Sequence, residues 1–169
     1  LGGASIDQWL YEDVVRRNGR DPSDPVARRN GRRLLAECEA LKIALSTRPS
    51  ARLSVTDAET GIALAAEYTR ADFEALLEQR GFRSRLDRVL RRALNTARER
   101  GYDEDRIGAA LMVGGGSLMP MAQSVVRQIF GAERVRLDRP LEAVARGAAA
   151  FAAGADVSDH IQHSYALRF

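Results

Sequence analysis

Apolar residues return along this chain with two different periods, and the changes of period mark out the elements. After Leu1-Gly2-Gly3-Ala4-Ser5, the residues Ile6, Leu10 and Val14 recur every fourth position with Trp9 beside them, the spacing of one helix face. Ser5 is a candidate N-cap and Asn18-Gly19 a candidate stop. The following NGRDPSDP run, from Asn18 to Pro25, has the composition of a loop. A longer helix is expected from about Val26 to Ser46, because Leu34, Cys38, Leu41 and Leu45 fall at i, i+4, i+7 and i+11 and commit one face to a core. Arg52 to Thr56 and Ile62 to Tyr68 read as two strands joined through Asp57-Ala58-Glu59-Thr60-Gly61, a β-hairpin with Gly61 at its awkward backbone position.

The helical period then resumes. Thr69 to Asp72 resembles an N-terminal cap for a helix through about Gln79. A second helix, Phe82 to Arg100, carries Leu86, Val89, Leu90, Ala93, Leu94 and Ala97 on one side, and Gly101 ends it. Ala109 to Val113 is a short apolar strand running into Gly114-Gly115-Gly116-Ser117. Pro120 to Phe130 is a helix with proline at its first position, Val135 to Leu137 a short strand, and Leu141 to Ala153 an alanine-rich helix whose small residues suit close packing against a neighbour. A hairpin followed by strand–loop–helix–strand–helix is the signature of an α/β lobe with a small appended subdomain.

Composition narrows the function classes. The chain has 169 residues, 45% hydrophobic and 29% charged, which is globular rather than disordered. No apolar run reaches the roughly 18–20 residues that cross a bilayer, and no basic-then-apolar leader opens the chain; a cytoplasmic setting is expected. Leu1 in place of Met is read as the cut end of a longer protein. One cysteine, Cys38, allows neither an intrachain disulfide nor a multi-thiolate metal site, and the two histidines, His160 and His163, are too few for a histidine-rich one. The balance of 26 Lys+Arg against 23 Asp+Glu is nearly even. Its densest basic stretches, Arg28 to Arg33 and Arg80 to Arg92, are solvated helix faces rather than a nucleic-acid stripe with interleaved aromatics. Lys42 is the single lysine among these basic residues.

Two features could carry chemistry. At the strand–GGGS–helix junction the glycines can turn where a β-carbon would clash, and their amides favour an anion such as phosphate. It is not a Walker A loop, because no Gly-Lys-Ser/Thr follows, and Met119 stands where a dinucleotide fingerprint would place its last glycine. A tight strand-to-helix turn with no ligand accounts for the same spacing. The second feature is the polar face of the long helix. Glu39, Lys42 and Ser46, at i, i+3 and i+7, cluster within roughly 60° of arc with Ile43 on the border; taken alone, the Glu–Lys pair is ordinary helix support.

Taken together, four stretches resemble the second lobe of the nucleotide-binding domain of DnaK-type, seventy-kilodalton heat-shock chaperones, within the actin-like ATPase superfamily. LGGASID at the start is similar to the family's L-G-G-x-D-F-D, and CEALKIALS, Cys38 to Ser46, to C-E-x-A-K-x-x-L-S. ALMVGGGSLMP, Ala110 to Pro120, is similar to V-L-V-G-G-S-x-R-I-P, and RPLEAVARGAA, Arg139 to Ala149, to N-P-D-E-A-V-A-x-G-A-A. The Thr-Arg step before Phe73 fits T-R-x-x-F-E. The resemblance covers about residues 1–154.

It implies a ribonuclease H-like α/β lobe, with residues 1–18 and 101–156 as its core, residues 19–100 as the appended subdomain, and residues 157–169 opening a downstream segment. It implies ATP or ADP with Mg2+ as the ligand. Glu39 and Lys42 fall where the family meets the ribose, Ser46 where it meets the adenine edge, and Gly114, Gly115 and Gly116, with Ser117 beside them, on the phosphate-wrapping loop. Where the family stacks adenine between two arginines this chain has Ile43 and Leu118, and Leu141 replaces an acidic residue near the ribose. The metal ligands and water-activating groups of the family lie on an absent N-terminal lobe, so this piece alone is not expected to hydrolyse ATP. That lobe and an exchange factor or co-chaperone are the implied partners, with neither nucleic acid nor membrane among them. Two alternatives remain open: an interaction module that has lost nucleotide, and an actin-like filament-forming protein. The Asp159-His160-Ile161-Gln162-His163 stretch is read as incidental rather than metal-binding, and Cys38 as a buried small side chain rather than a nucleophile.

Overall fold

The computed structural model describes residues 2–155. Seven helices and four strands follow one another: α1 (Gly3–Arg17), α2 (Pro25–Arg29), α3 (Gly31–Thr47), β1 (Ser50–Thr56), β2 (Ala63–Thr69), α4 (Arg70–Gln79), α5 (Phe82–Glu99), β3 (Ala110–Leu111), α6 (Pro120–Phe130), β4 (Val135–Arg136) and α7 (Ala143–Ala152).

α1 begins earlier than the polar pattern suggests. Gly2 is the N-cap, with extended backbone and no side-chain cap, and the Ser5 N–H donates to the Gly2 carbonyl at 3.1 Å. Ser5 therefore lies inside the first turn instead of capping it. Asn18 does end the helix. Its side-chain amide donates to the carbonyls of Val14 and Ala65, and the Ala65 N–H donates back to Asn18 Oδ1. The helix end is thereby stitched to β2.

The long helix expected over residues 26–46 is two helices, broken at Asn30. The break has a polar cause 27 residues downstream. Asn30 Nδ2 donates to the Val26 carbonyl and, at 2.7 Å, to Asp57 Oδ1. Asp57 is buried at 3% exposure in the hairpin turn, and Arg29 reaches it at 2.8 Å while Thr60 Oγ1 donates at 2.7 Å. A buried carboxylate is tolerated only when paired and hydrogen-bonded, and bending the chain at Asn30 brings two of the donors to it. These bonds hold the Asp57 carboxyl far below its ordinary range, Arg29 first, then Thr60 and Asn30.

β1 and β2 form the predicted antiparallel hairpin, in register from Ser50 opposite Thr69 to Thr56 opposite Ala63. Strand alternation points Leu53, Val55, Leu64 and Tyr68 inward. Gly61, at φ +70°, supplies the left-handed residue the turn requires. Thr69 and Asp72 then make a capping box, each side chain accepting from the other's backbone N–H.

Against the inner faces of this hairpin and α4, α3 presents Leu34, Cys38, Leu41 and Leu45, all buried, and α1 presents Ile6, Leu10 and Val14. One contiguous apolar cluster results, extending to Met112, Met119 and Met121 at the start of the C-terminal part. α5 is more exposed than its pattern suggests. Phe82 and Leu94 are buried and Leu86 and Leu90 half-buried, whereas Val89 and Ala93 face solvent. Its buried line is the i, i+4, i+8, i+12 row, and among the described residues nothing covers the flank carrying Val89 and Ala93.

β3 and β4 pair in parallel, Ala110 with Val135 and Leu111 with Arg136. Both are shorter than expected, because this ladder has two strands among the described residues. α7 starts at Ala143 rather than Leu141, since the turn at Arg139 (φ +44°) places Leu141 and Glu142 ahead of it. Among the described residues no residue of α7 is buried, and Ala143 alone is partly covered. The expectations for the tail, including His160 and His163, lie outside the described residues.

Candidate functional site

α3 divides its surface between two tasks. With the Leu34–Leu45 stripe turned inward, the roughly 100° step per residue places Lys42 on its flank and Ser46, Glu39 and Ile43 progressively farther round the same side. The glycine turn comes to meet them. Gly114 adopts φ +80° and ψ 165°, a conformation that only glycine enters easily. The backbone then tightens into a 3₁₀ turn over Gly115–Leu118, and Pro120 opens α6. Ser117 closes the turn, with its N–H and its Oγ both donating to the Gly114 carbonyl, the latter at 2.6 Å.

Between the two elements lies a cleft of about 490 Å³, within the range of small-molecule sites. Glu39, Lys42, Ile43, Ser46, Gly115, Gly116 and Leu118 all line it. Seven of the nine residues singled out from sequence are thus brought together. Gly114 and Ser117 are not on the lining: they shape the turn from behind, and Ser117 is buried. Among the described residues, the amides of Gly115 and Gly116 donate to no protein acceptor. Ile43, at 60% exposure, and Leu118 form an aliphatic border on either side. Leu141 stands at the rim, 3.7 Å from where a β-carbon on Gly115 would sit.

The polar lining is partly engaged already. Lys42 Nζ lies 2.7 Å from Asp7 Oδ1 across the α1–α3 contact. Ser46 Oγ donates to the Lys42 carbonyl at 3.1 Å, leaving its oxygen free to accept. Glu39 is exposed, with no protein partner among the described residues.

Further residues that sequence reasoning did not single out also bear on the cleft, Gly3, Arg48 and Met119 among those lining it and Asp7 through Lys42. Gly3 and Asp7 carried no signal beyond their place in the LGGASID stretch, because the packing of α1 on α3 is what brings them here. Arg48 and Met119 had none. Cys38 belongs to the core, and burial pushes its thiol up to about 12, which removes it as a nucleophile at neutral pH. Among the described residues, no three His, Cys, Asp or Glu side chains converge as a metal site, and no helix is long and apolar enough to cross a membrane.

Comparison with known proteins matches the same stretches. The family model described as Hsp70 protein covers residues 1–161. The chain is 36% identical over 162 residues to "Chaperone protein dnaK3" of Synechococcus elongatus, covering 88% of this chain and 20% of that protein. It is 36% identical over 154 residues to "Heat shock 70 kDa protein BIP3" of Oryza sativa, covering 88% and 22%, and 33% identical over 161 residues to "Chaperone protein DnaK" of Thermosipho melanesiensis, covering 90% and 26%. It therefore spans between a fifth and about a quarter of the length of these relatives. The match takes in both walls of the cleft, the helix and the glycine turn alike, and on that basis the chain belongs to the Hsp70 family.

Proposed function

We propose that this chain is the second-lobe half of an Hsp70 nucleotide-binding domain, in which α3 and the glycine turn hold the sugar and base of ATP or ADP. The family carries the actin-like ATPase fold, and the mixed α/β architecture agrees with it. In this reading residues 1–18 and 101–156 belong to the lobe's ribonuclease H-like core, residues 19–100 to its appended subdomain, and residues 157–169 lead into a downstream segment. The supporting observation is the shared cleft, where residues more than seventy positions apart in sequence converge on one concave surface.

Each lining group has a matching task. Glu39 accepts and Lys42 donates toward the ribose hydroxyls. Ser46 meets the adenine edge, and the amides of Gly115 and Gly116 favour the negative charge of the phosphates. Ile43 and Leu118 flank the base, offering flat apolar contact without the cation–π attraction of about 0.5–2 kcal/mol that an arginine contributes. The Mg2+ that accompanies ATP is assigned to side chains of the other lobe, and phosphoryl transfer needs that metal and a positioned nucleophile. Closure of the two lobes around nucleotide would change how they meet a downstream or partner domain, an exchange factor or co-chaperone among them, in the cytoplasm.

The test is calorimetry of ATP against the full-length protein with magnesium. Replacing Ile43→Asp together with Leu118→Asp puts two carboxylates against the base, and affinity is expected to fall at least about tenfold. Affinity unchanged from wild type overturns the proposal.

A further inference from the structure

Lys42 does not stand free at the edge of the cleft. Its ammonium lies 2.7 Å from Asp7 Oδ1, and each side chain of the pair keeps 13% of its exposure. That Oδ1 is sealed from solvent and receives no well-aligned hydrogen bond. The lysine charge is therefore what compensates it, and a buried carboxylate keeps such a partner close. The ammonium also lies close to Gly3, where a β-carbon would come within 3.1 Å of Nζ. A long, flexible side chain thus ends beside a carboxylate and bare backbone, both from the first five residues of α1.

We propose that Asp7 is a positioning residue for the sugar subsite. It holds the Lys42 ammonium where the ribose hydroxyls arrive, and Gly3 leaves the room for it. An ammonium has three donors, and Asp7 is the one partner Lys42 Nζ has among the described residues, so donor capacity is left for a ligand. Ordering the side chain beforehand removes an entropic cost that binding would otherwise carry. This inference rests on the nucleotide reading above and adds a residue that touches no nucleotide in it.

The experiment compares the affinities of ATP and 2′,3′-dideoxy-ATP, with magnesium, in the full-length protein and in its Asp7→Asn and Gly3→Ala variants. Wild type is expected to prefer ATP by about tenfold, the worth of hydrogen bonds to a charged group. Asp7→Asn should lose at least about fivefold of that preference while its affinity for the dideoxy analogue stays within about twofold. Gly3→Ala, which crowds the ammonium without removing a charge, should lose less, in the same sense and with no fall in thermal midpoint. If Asp7→Asn weakens both nucleotides equally, or leaves their ratio untouched, Asp7 is a helix–helix tie and the inference is overturned. Should that variant not fold, an unchanged ratio in Gly3→Ala overturns it instead. A wild-type protein indifferent to the missing hydroxyls sinks the sugar reading itself, a result distinct from failure of Asp7 alone.

Discussion

The helix–hairpin part of the molecule, from α1 to α4, and the C-terminal part, from β3 to α7, are built to different degrees of closure. In the first, every apolar stripe meets another: α1 and α3 pack together, the hairpin covers α3, and Tyr68 is buried with its hydroxyl donating to Asp13 at 2.6 Å and Arg17 stacked on its ring at 4.2 Å. In the second, two strands pair over two residues each, and large apolar side chains face outward: Leu111, Val113, Leu141, Val144 and Phe151, with Val144 at 80% and Phe151 at 65%. The patterning of α7 makes it a helix, but nothing among the described residues makes it a packed one. The candidate cleft lies on the seam, with one wall from each part. Its helical wall is braced by a core, and its glycine wall is braced mainly by its own hydrogen bonds and by α6. Local propensity specifies elements in both parts; in the second, α6 buries Met121, Ala122, Val125 and Val126, whereas no residue of α7 is buried among the described residues.

The sharpest way to break this contrast is to remove matched apolar side chains from the two parts. Leu34→Ala should destabilise the helix–hairpin part by about 2–5 kcal/mol, read as a loss of hydrogen-exchange protection across α3 in the full-length protein. Phe151→Ala, on a face of α7 that nothing among the described residues covers, should leave protection across α3 within about 0.5 kcal/mol of wild type. Equal losses would erase the distinction. The next effect is electrostatic. The Asp57 carboxyl is held below its ordinary value when folded, so its contribution is fully present above the unfolded value, near 3.8, and disappears as pH falls through the folded one. The thermal midpoint of the helix–hairpin part should therefore drop steeply in acid, and Asp57→Asn should flatten that drop at the cost of a lower midpoint at neutral pH. An identical acid slope in wild type and variant would refute the assignment. The smallest effect sharpens the same picture: Thr69→Ala removes the capping box and should lower stability by about 1 kcal/mol, with earlier exchange at the first amides of α4.

Much of this was legible along the chain because it is local. Pro120 and Phe130 bound α6 as the proline and the apolar spacing indicate, the Thr69–Asp72 box sits where its spacing puts it, and the buried stripe of α3 is the i, i+4, i+7, i+11 set. The seven expected residues found on the cleft lining came from two motifs whose proximity no periodicity reveals, so the family resemblance supplied that part. What stayed hidden depends on partners far apart in sequence. Asn30 reads as an ordinary mid-helix residue until Asp57, 27 residues on, accepts from it. Asp7 reads as one polar residue of α1 until α3 brings an ammonium beside it. The cover, or lack of it, over Val89 and over α7 is likewise a property of neighbours, which a helix pattern does not name.

The lone lysine has a practical consequence. In a stretch whose other basic side chains are all arginine, an acylating reagent that attacks uncharged amines finds a single side-chain address, and it sits in the wall of the cleft. The extent of its modification, followed by peptide mass in the presence and absence of candidate small molecules, turns Lys42 into a built-in footprint of whatever occupies that space.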